Sequence, residues 1–173
     1  MKKLLLFALL LSAFTAGAQD FNGTFTQAKT IKASGRVIKS AGEITFTAPD
    51  QLAMVYTQPD GDYFIIDGPY IRTDMRGVSA DLDASTNKTV ALQRNSLLNS
   101  VLGKYEDIAR EMDATVSVTP GKAGGKHVEI KARKTLPKGY SGLVLDYRKD
   151  GQLTRLVLEE FGGISTEYLI SVK

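Results

Sequence analysis

The catalytic chemistry open to this chain is limited first by its single histidine, His127, and by the absence of cysteine from all 173 residues. A serine nucleophile needs a base beside it, and here His127 would have to be that base. The Gly-x-Ser-x-Gly element of many hydrolases does not occur in the sequence. We therefore interpret His127 as an exposed histidine on a strand and predict that the protein is not an enzyme.

Three acidic residues, Asp60, Asp62 and Asp67, lie close together in the sequence and raise the question of a calcium site. The familiar calcium-binding loop also needs a glycine and a terminal glutamate at fixed spacings, and neither is present there. Turn and cap roles explain the three carboxylates, so the sequence predicts no metal site and no other cofactor.

Residues 1–18 have the composition of a secretory signal peptide. A basic start is followed by an apolar run over 4–14 and by small residues at 16–18, where cleavage would occur. The run is shorter than the roughly 20 residues that span a membrane. Gln19 stands where an acylated bacterial protein would have cysteine. We expect residues 19–173 to form an exported protein that is neither lipidated nor membrane-spanning.

The exported chain is nearly neutral. Without the two lysines of the signal segment, 20 of the 22 basic residues remain against 19 acidic ones, which gives no reason to expect nucleic-acid binding. One basic cluster is most simply a solvated face, and the alternative is a docking surface for acidic loops or anionic headgroups. Its members are Lys122, Lys126, Lys131, Arg133, Lys134 and Lys138.

Apolar alternation and turn residues divide the chain into two strand-rich halves with a helical insert between them. Over 87–112 the apolar residues recur at spacings of three, four and seven, and Gly103 interrupts them, which predicts two short helices. The predicted strands cover 21–32, 35–47, 52–57, 63–67, 71–75, 78–82, 114–119, 127–132, 143–147, 153–158 and 164–172. The pattern predicts one mostly β (α+β) domain: a single curved antiparallel sheet or unclosed β-barrel of about ten strands with a short helical lid insert.

The strand and turn segments of the first part of the chain follow one another in a distinctive order. In order, they read Phe25-Thr26-Gln27, Gly42-Glu43-Ile44-Thr45-Phe46, Ala48-Pro49-Asp50, Leu52-Ala53-Met54-Val55-Tyr56, Thr57-Gln58-Pro59-Asp60 and Ile65-Ile66-Asp67-Gly68. This order and spacing resemble the start of the LolA family of outer-membrane lipoprotein carrier proteins. Towards the end of the chain, Glu160, Gly163, Thr166 and Tyr168 fit the family's closing strands.

The resemblance implies a function as well as a fold. It implies a periplasmic chaperone whose bent, unclosed sheet is capped by helices acting as a lid, and which shields lipoprotein acyl chains in an apolar cavity between the two membranes. The implied partners are acylated lipoproteins or other lipids, an inner-membrane ABC-type release complex and an outer-membrane acceptor. No cofactor is implied.

Three features depart from the family pattern. LolA-type carriers usually have a helix before the position of Phe25, but here only about six residues separate it from the cleavage site. Many members have an arginine that bonds to the lid where this chain has Ala48. A tryptophan common in the third strand is replaced by Met54. Because of these departures, the opening and closing mechanism of typical members is not carried over to this chain.

An acyl carrier needs an apolar cavity and a movable cover, and full burial of one 16-carbon chain is worth roughly 12 kcal/mol. The alternative is that the same residues pack one another as a filled core. The candidate lining residues are Phe25, Ile44, Phe46, Leu52, Met54 and Tyr56 from the sheet, and Leu97, Leu98, Val101 and Leu102 from the lid.

Two rival functions stay open from the sequence. On the same fold, the cargo could be a free lipid, a glycolipid or a polyene pigment precursor. The second rival is a β-sheet sensor or interaction domain that binds a protein without solubilising any lipid.

Overall fold

The structure of the protein is a computed structural model that describes residues 20–134 and 139–173. The predicted signal segment 1–18, Gln19 and Lys138 lie outside the described residues. The strands are β1 Phe21–Ile31, β2 Arg36–Thr47, β3 Gln51–Gln58, β4 Asp60–Asp67, β5 Tyr70–Met75, β6 Val78–Asp83, β7 Ala114–Pro120, β8 Lys126–Ala132, β9 Tyr140–Tyr147, β10 Leu153–Glu160 and β11 Ile164–Val172; helices α1 and α2 are Lys88–Val101 and Tyr105–Glu111.

All eleven strands of the described chain form one sheet, in the order β6-β5-β4-β3-β2-β1-β11-β10-β9-β8-β7. Every neighbouring pair is antiparallel. Strands β6 and β7 are the two edges, so the sheet is not closed, and β1 lies at its centre. The predicted fold class is confirmed, and each predicted strand range overlaps one strand of the sheet.

The helical insert joins the two edge strands. Asn87 caps α1, because its side-chain oxygen accepts hydrogen bonds from the backbone N–H groups of Thr89 at 3.0 Å and Val90 at 3.3 Å. Gly103 separates the two helices with a φ of +70°, a conformation that suits glycine at the end of a helix. Two short helices with Gly103 between them are what the sequence predicts.

The sheet has one apolar face, called here the inner face. Along β1, Phe21, Gly23 and Phe25 are buried and alternate with exposed residues, as a strand with one covered face requires. Buried residues of both helices join the same hydrophobic core as the sheet. The core contains Ile71 from β5 and Val128 from β8, which would lie roughly 38 Å apart in a flat sheet. The sheet must therefore curve around its inner face.

Two inner-face glycines allow the central strands to pack closely. A Cβ atom at Gly42 would lie 2.2 Å from the carbonyl oxygen of Val55 and 2.8 Å from the ring of Phe25, and one at Gly23 would lie 2.3 Å from the carbonyl oxygen of Ser171. The ring of Phe25 therefore occupies the space over Gly42. It meets the ring of Tyr56 edge to face, with 5.1 Å between centroids.

We predict that Gly42→Ala destabilises the protein by about 1–3 kcal/mol or more, because the added methyl group must displace both backbone and the Phe25 ring. Denaturant unfolding of the mature protein measures this. The matched control is Gly162→Ala, where a Cβ atom meets nothing within 4 Å. Equal stability of the two variants would contradict the proposed packing role of Gly42.

Candidate functional site

The structure brings the ten predicted lining residues together in one hydrophobic cluster on the inner face. Nine of them are buried, with exposed fractions from 0% at Phe46 to 7% at Leu97 and Val101. Leu102, at the end of α1, is half-buried and packs against the others. In this state the nine side chains contact one another and form a packed core. Whether they also line a ligand cavity remains a prediction.

Beyond this core, the inner face continues into a region whose residues are less completely buried. We call it the half-covered region. Its position follows from the uninterrupted register of β1 with both neighbours, which pairs Gln27 with Tyr168 and Ser40. All of its members are half-buried except the buried Thr166. They are Gln27, Lys29, Ile31, Ile38, Ser40, Ile164, Thr166 and Tyr168.

A hydrogen-bonded pair lies where the packed core meets the half-covered region. The side-chain amide of Gln27 donates from Nε2 to the hydroxyl oxygen of Tyr168 at 2.8 Å. The Phe25 ring lies 6.1 Å from that of Tyr168 and 5.1 Å from that of Tyr56, and the Tyr56 hydroxyl lies within hydrogen-bonding reach of both Gln27 and Tyr168. Burial raises the pKa of Tyr56 and of Tyr168, so both phenols stay protonated at neutral pH and keep an O–H donor.

Sequence reasoning did not assign a functional role to this pair. Gln27 and Tyr168 appeared only as parts of family-like motifs. The available signal was the period of β1: after Phe21, Gly23 and Phe25, the next residue on the inner face is a glutamine. A polar residue in a core-facing position requires a hydrogen-bond partner or a ligand.

Arg94 fastens α1 to two turns of the sheet. Its Nε donates to the carbonyl oxygen of Gly68 at 2.5 Å, and its Nη2 lies 3.6 Å from a carboxylate oxygen of Asp50. Typical family members would have an arginine two residues before Asp50, where this chain has Ala48. In this protein the arginine comes from the helix and bonds to the sheet. The departure at Ala48 prevents the lid mechanism of typical members from being carried over, and no local pattern in the sequence identifies Arg94.

A second attachment joins α1 to β9 in the interior. The hydroxyl of Tyr147 donates to the carbonyl oxygen of Ser100 at 2.8 Å, and Ser100 Oγ donates to the carbonyl oxygen of Ser96 at 2.7 Å. The hydroxyl of Ser96 is buried and has no hydrogen-bond partner, alone among the buried side-chain polar atoms of the described residues. The helix is therefore tied to the sheet by a few polar contacts around an apolar interface.

The interpretation of His127 as a simply exposed residue is wrong, because it is half-buried within a charge ladder. Its Nδ1 pairs with Asp146, whose other oxygen lies 3.2 Å from Arg155 Nη1, and Arg155 Nε donates to Glu167 at 2.6 Å. These residues occupy β8 to β11 on the outer face, since Val128 beside His127 points into the core. The ladder is therefore separated from the inner face by the sheet itself.

The predicted basic cluster is partly neutralised by the protein's own carboxylates. Lys131 lies 3.0 Å from Glu129, while Arg133 and Lys134 lie 3.1 and 3.3 Å from Asp113. These pairs are exposed, and such pairs contribute little to stability. They also reduce the positive potential that an acidic partner would meet.

Two surface pockets adjoin the packed core. One of about 500 Å³ lies between α2 and the β7–β8 edge, and contains Glu106, Arg110 and Arg133. The other, of about 270 Å³, lies on the outer face over β2, β3 and β4, and Leu52 is the one predicted lining residue that it includes. Within residues 20–134 and 139–173 there is no group of three or more His, Asp or Glu side chains placed to hold a metal ion.

The fold and its inner face define the class of protein: one unclosed antiparallel sheet whose apolar face is covered by two inserted helices. The sequence profile described as "Outer membrane lipoprotein carrier protein LolA" matches residues 16–172. The chain belongs to the LolA family. Carriers of this family are periplasmic and are not enzymes. Among the described residues, no helix has the length and apolarity needed to cross a membrane.

Solved structures with similar folds have low sequence identity to this chain. A LolA superfamily protein from Nitrosomonas europaea is 13% identical, with a TM-score of 0.40 and coverage of 89% of this chain and 84% of that one. The lipoprotein LppX of Mycobacterium tuberculosis is 11% identical, with a TM-score of 0.39 and coverage of 88% of this chain and 85% of that one. LprF of Mycobacterium bovis is 9% identical, with a TM-score of 0.36 and coverage of 89% of this chain and 85% of that one. No curated protein matches the chain significantly.

We predict that Arg94→Ala loosens α1, because it removes a charge-assisted hydrogen bond worth about 1.5–3 kcal/mol. Hydrogen exchange should quicken over 88–101 more than over the central strands. The control is Arg110→Ala on α2, whose ion pair with Asp107 is largely exposed and should matter little. Unchanged exchange in α1 would show that apolar packing alone holds the helix.

A pH dependence follows from the outer-face ladder. The hydrogen bond that His127 donates to the Asp146 carboxylate raises the pKa of His127 above its ordinary 6.5, although burial opposes the shift. The folded state thus binds this proton more tightly than the unfolded state. The resulting stability is fully present below pH 6.5 and is lost as the pH rises through the raised pKa. Burial favours protonation of Asp146, but hydrogen bonds from His127 and Arg155 outweigh burial and lower the pKa of Asp146. The contribution of Asp146 to the stability of the protein is therefore lost only in acid, as the pH falls through the lowered pKa.

We therefore expect the free energy of unfolding to decrease as the pH rises from 6.5 through the raised pKa of His127, and His127→Gln to flatten that slope. Denaturant unfolding across this range measures it, with Asp150→Asn, in a turn away from the ladder, as the control that keeps the slope. A wild-type slope that survives in His127→Gln would assign it to another group.

Proposed function

We propose that this protein is a periplasmic carrier that binds the acyl chains of lipoproteins between its sheet and its helices and shuttles them from the inner to the outer membrane. The observation that carries the proposal is membership of the LolA family over 16–172, nearly the whole chain. Residues 1–18 would be the signal peptide that directs export, and 19–173 the carrier domain. The activity needs no cofactor.

The packed inner face suggests how binding would remain reversible. Full burial of a 16-carbon chain gains roughly 12 kcal/mol when the chain leaves water. In this protein, the chain would enter a space that is filled by residues such as Phe25, Met54, Leu97 and Leu98. Those side chains would have to separate and give up their mutual contacts. The net gain is then smaller than full burial, which suits a carrier that must release its cargo.

The two helices are the natural movable cover. Their apolar residues pack on the sheet, and their polar attachments are few, with Arg94 at one side and Tyr147 in the interior. Met54 and Leu102 lie under or beside them, and methionine adapts well to ligands of variable shape. Opening would separate α1 and α2 from the sheet while leaving the strand ladder intact.

The partners follow from the same proposal. An inner-membrane ABC-type complex would supply the energy for loading, and an outer-membrane acceptor would receive the cargo by direct contact. The departures at Ala48 and before Phe25 support an alternative cargo on the same fold, such as another lipid. The close packing of the nine buried residues supports the other rival, a protein-interaction or sensor domain that carries no lipid.

Native mass spectrometry of the mature protein from its own periplasm, with extraction of whatever is bound, tests the proposal. We expect a co-purifying acylated protein or lipid, and uptake of a synthetic triacylated lipopeptide in solution. Leu102→Asn, at a half-buried position on the cover, should weaken uptake about threefold to tenfold.

The control is Leu169→Asn, because Leu169 is 50% exposed on the outer face and should not affect uptake. Far-ultraviolet circular dichroism checks that both variants fold. An empty protein that also refuses the lipopeptide would reject the carrier and favour the interaction domain.

A further inference from the structure

The hairpin formed by the central strands β1 and β2 extends beyond the neighbouring strand β3. The described ladder between β2 and β3 ends at the pair Ala41–Gln58, so β3 pairs with none of residues 36–40. On their other side, these five residues pair with β1. They span about 17 Å along the strand. We call residues 29–39, which include the turn, the hairpin end.

The hairpin end concentrates positive charge in a chain that is otherwise nearly neutral. It contains no acidic residue, and the first carboxylate after Asp20 is that of Glu43. Three of its four basic side chains are exposed, and Lys29 is half-buried. The four are Lys29, Lys32, Arg36 and Lys39.

Carboxylates elsewhere in the described chain do not neutralise this charge. The ion pairs of residues 20–134 and 139–173 include none of the four basic side chains. Glu167 lies two strands from Lys39 in the same row of the outer face, but it is bound to Arg155. Glu159 and Glu160 end β10, which β11 separates from β1. The hairpin end therefore keeps its positive potential.

Apolar side chains accompany these cations. Val37 is 50% exposed, and Ile31 and Ile38 are half-buried on the inner face. The turn at 33–35 consists of small residues. Lysine and arginine also have long apolar stems, which can lie in an apolar layer while the charged ends reach polar groups. Several cations beside exposed apolar groups suit the boundary between the headgroups and acyl chains of a membrane.

The cations lie on both faces of the hairpin, which bears on the kind of partner. Lys29 lies on the inner face opposite Ile38, whereas Lys39 lies on the outer face, and Lys32 belongs to the turn. A protein loop docked on one face would reach only some of these charges. A layer of phosphate headgroups can surround the end of a hairpin and contact cations on both faces.

We propose that the hairpin end docks this protein on membranes that contain anionic phospholipids, with headgroup phosphates as the partners of Lys32, Arg36 and Lys39. The side chain of Val37 enters the boundary between headgroups and acyl chains. The inference goes beyond the proposed carrier function and does not depend on it, because headgroups bind at the hairpin end without entering the packed core.

Sedimentation with lipid vesicles tests the proposal. The mature protein is mixed at low salt with vesicles of phosphatidylcholine alone, or of equal parts of phosphatidylcholine and phosphatidylglycerol. We expect a partition coefficient about tenfold or more higher for the anionic vesicles, because each lysine or arginine near such a surface contributes about fivefold. Added salt should abolish most of this difference, since it screens exposed charges.

The double variant Lys32→Gln/Arg36→Gln should weaken partition into the anionic vesicles about tenfold or more. The matched control is Lys122→Gln/Lys126→Gln, which removes two exposed positive charges and changes the net charge equally. Lys126 begins β8, and the antiparallel strand order places that beginning at the end of the sheet opposite the hairpin end. This control should partition nearly as the wild type does. Far-ultraviolet circular dichroism checks that both variants fold.

Two results would overturn the proposal. Equal partition of the wild type into both kinds of vesicle would exclude docking on anionic lipid and leave an acidic protein loop as the alternative partner. Equal losses in the two double variants would show that only net charge matters.

Uptake of the triacylated lipopeptide in solution separates this inference from the carrier function, because no membrane is present. Lys32→Gln/Arg36→Gln should retain that uptake. Vesicle docking by a protein that refuses the lipopeptide would reject the carrier and support docking, whereas uptake without docking would do the reverse.

Discussion

The structure depends on one constraint, which is that a single eleven-stranded sheet must remove an entire apolar face from water. Two helices of 14 and 7 residues are the cover that the insert provides, and they are too short to shield that face if it were flat. The sheet must therefore curve so that its two halves share the core. At Gly42 this requirement leaves no room for a side chain, because the Phe25 ring and the backbone of β3 fill that space.

Curvature around the centre leaves the cover uneven. At the beginning of β1 the inner-face residues are buried, whereas from Gln27 to Ile31 the same strand is half-buried. The polar attachments follow this division: Arg94 and Tyr147 secure α1 over the packed end, and Gln27 and Tyr168 lie at its boundary. The closely packed and the half-buried parts of the inner face thus follow from one shortage of covering surface.

The two faces of the sheet distribute charge differently. On the outer face, His127, Asp146, Arg155 and Glu167 alternate in sign from strand to strand, an arrangement that favours cross-strand pairing. On the inner face, the half-covered region holds hydrogen-bond donors without carboxylates. The ladder resembles a catalytic cluster when viewed as a set of residue types. Its position across the sheet from the apolar face instead gives it a structural role and a pH dependence.

Much of this protein was determined locally by its sequence. Period-two alternation specified the strands and which residues, such as Ile44 and Leu52, face the core, because each strand exposes successive side chains to opposite faces. Only the tertiary structure decided which residues meet across the sheet. Arg94 reaches Gly68 from 26 positions away and Gln27 meets Tyr168 across 141, and no local pattern encodes such a distance. The sequence therefore determined the apolar face, whereas long-range strand pairing and helix placement decided how it is covered and where it remains accessible.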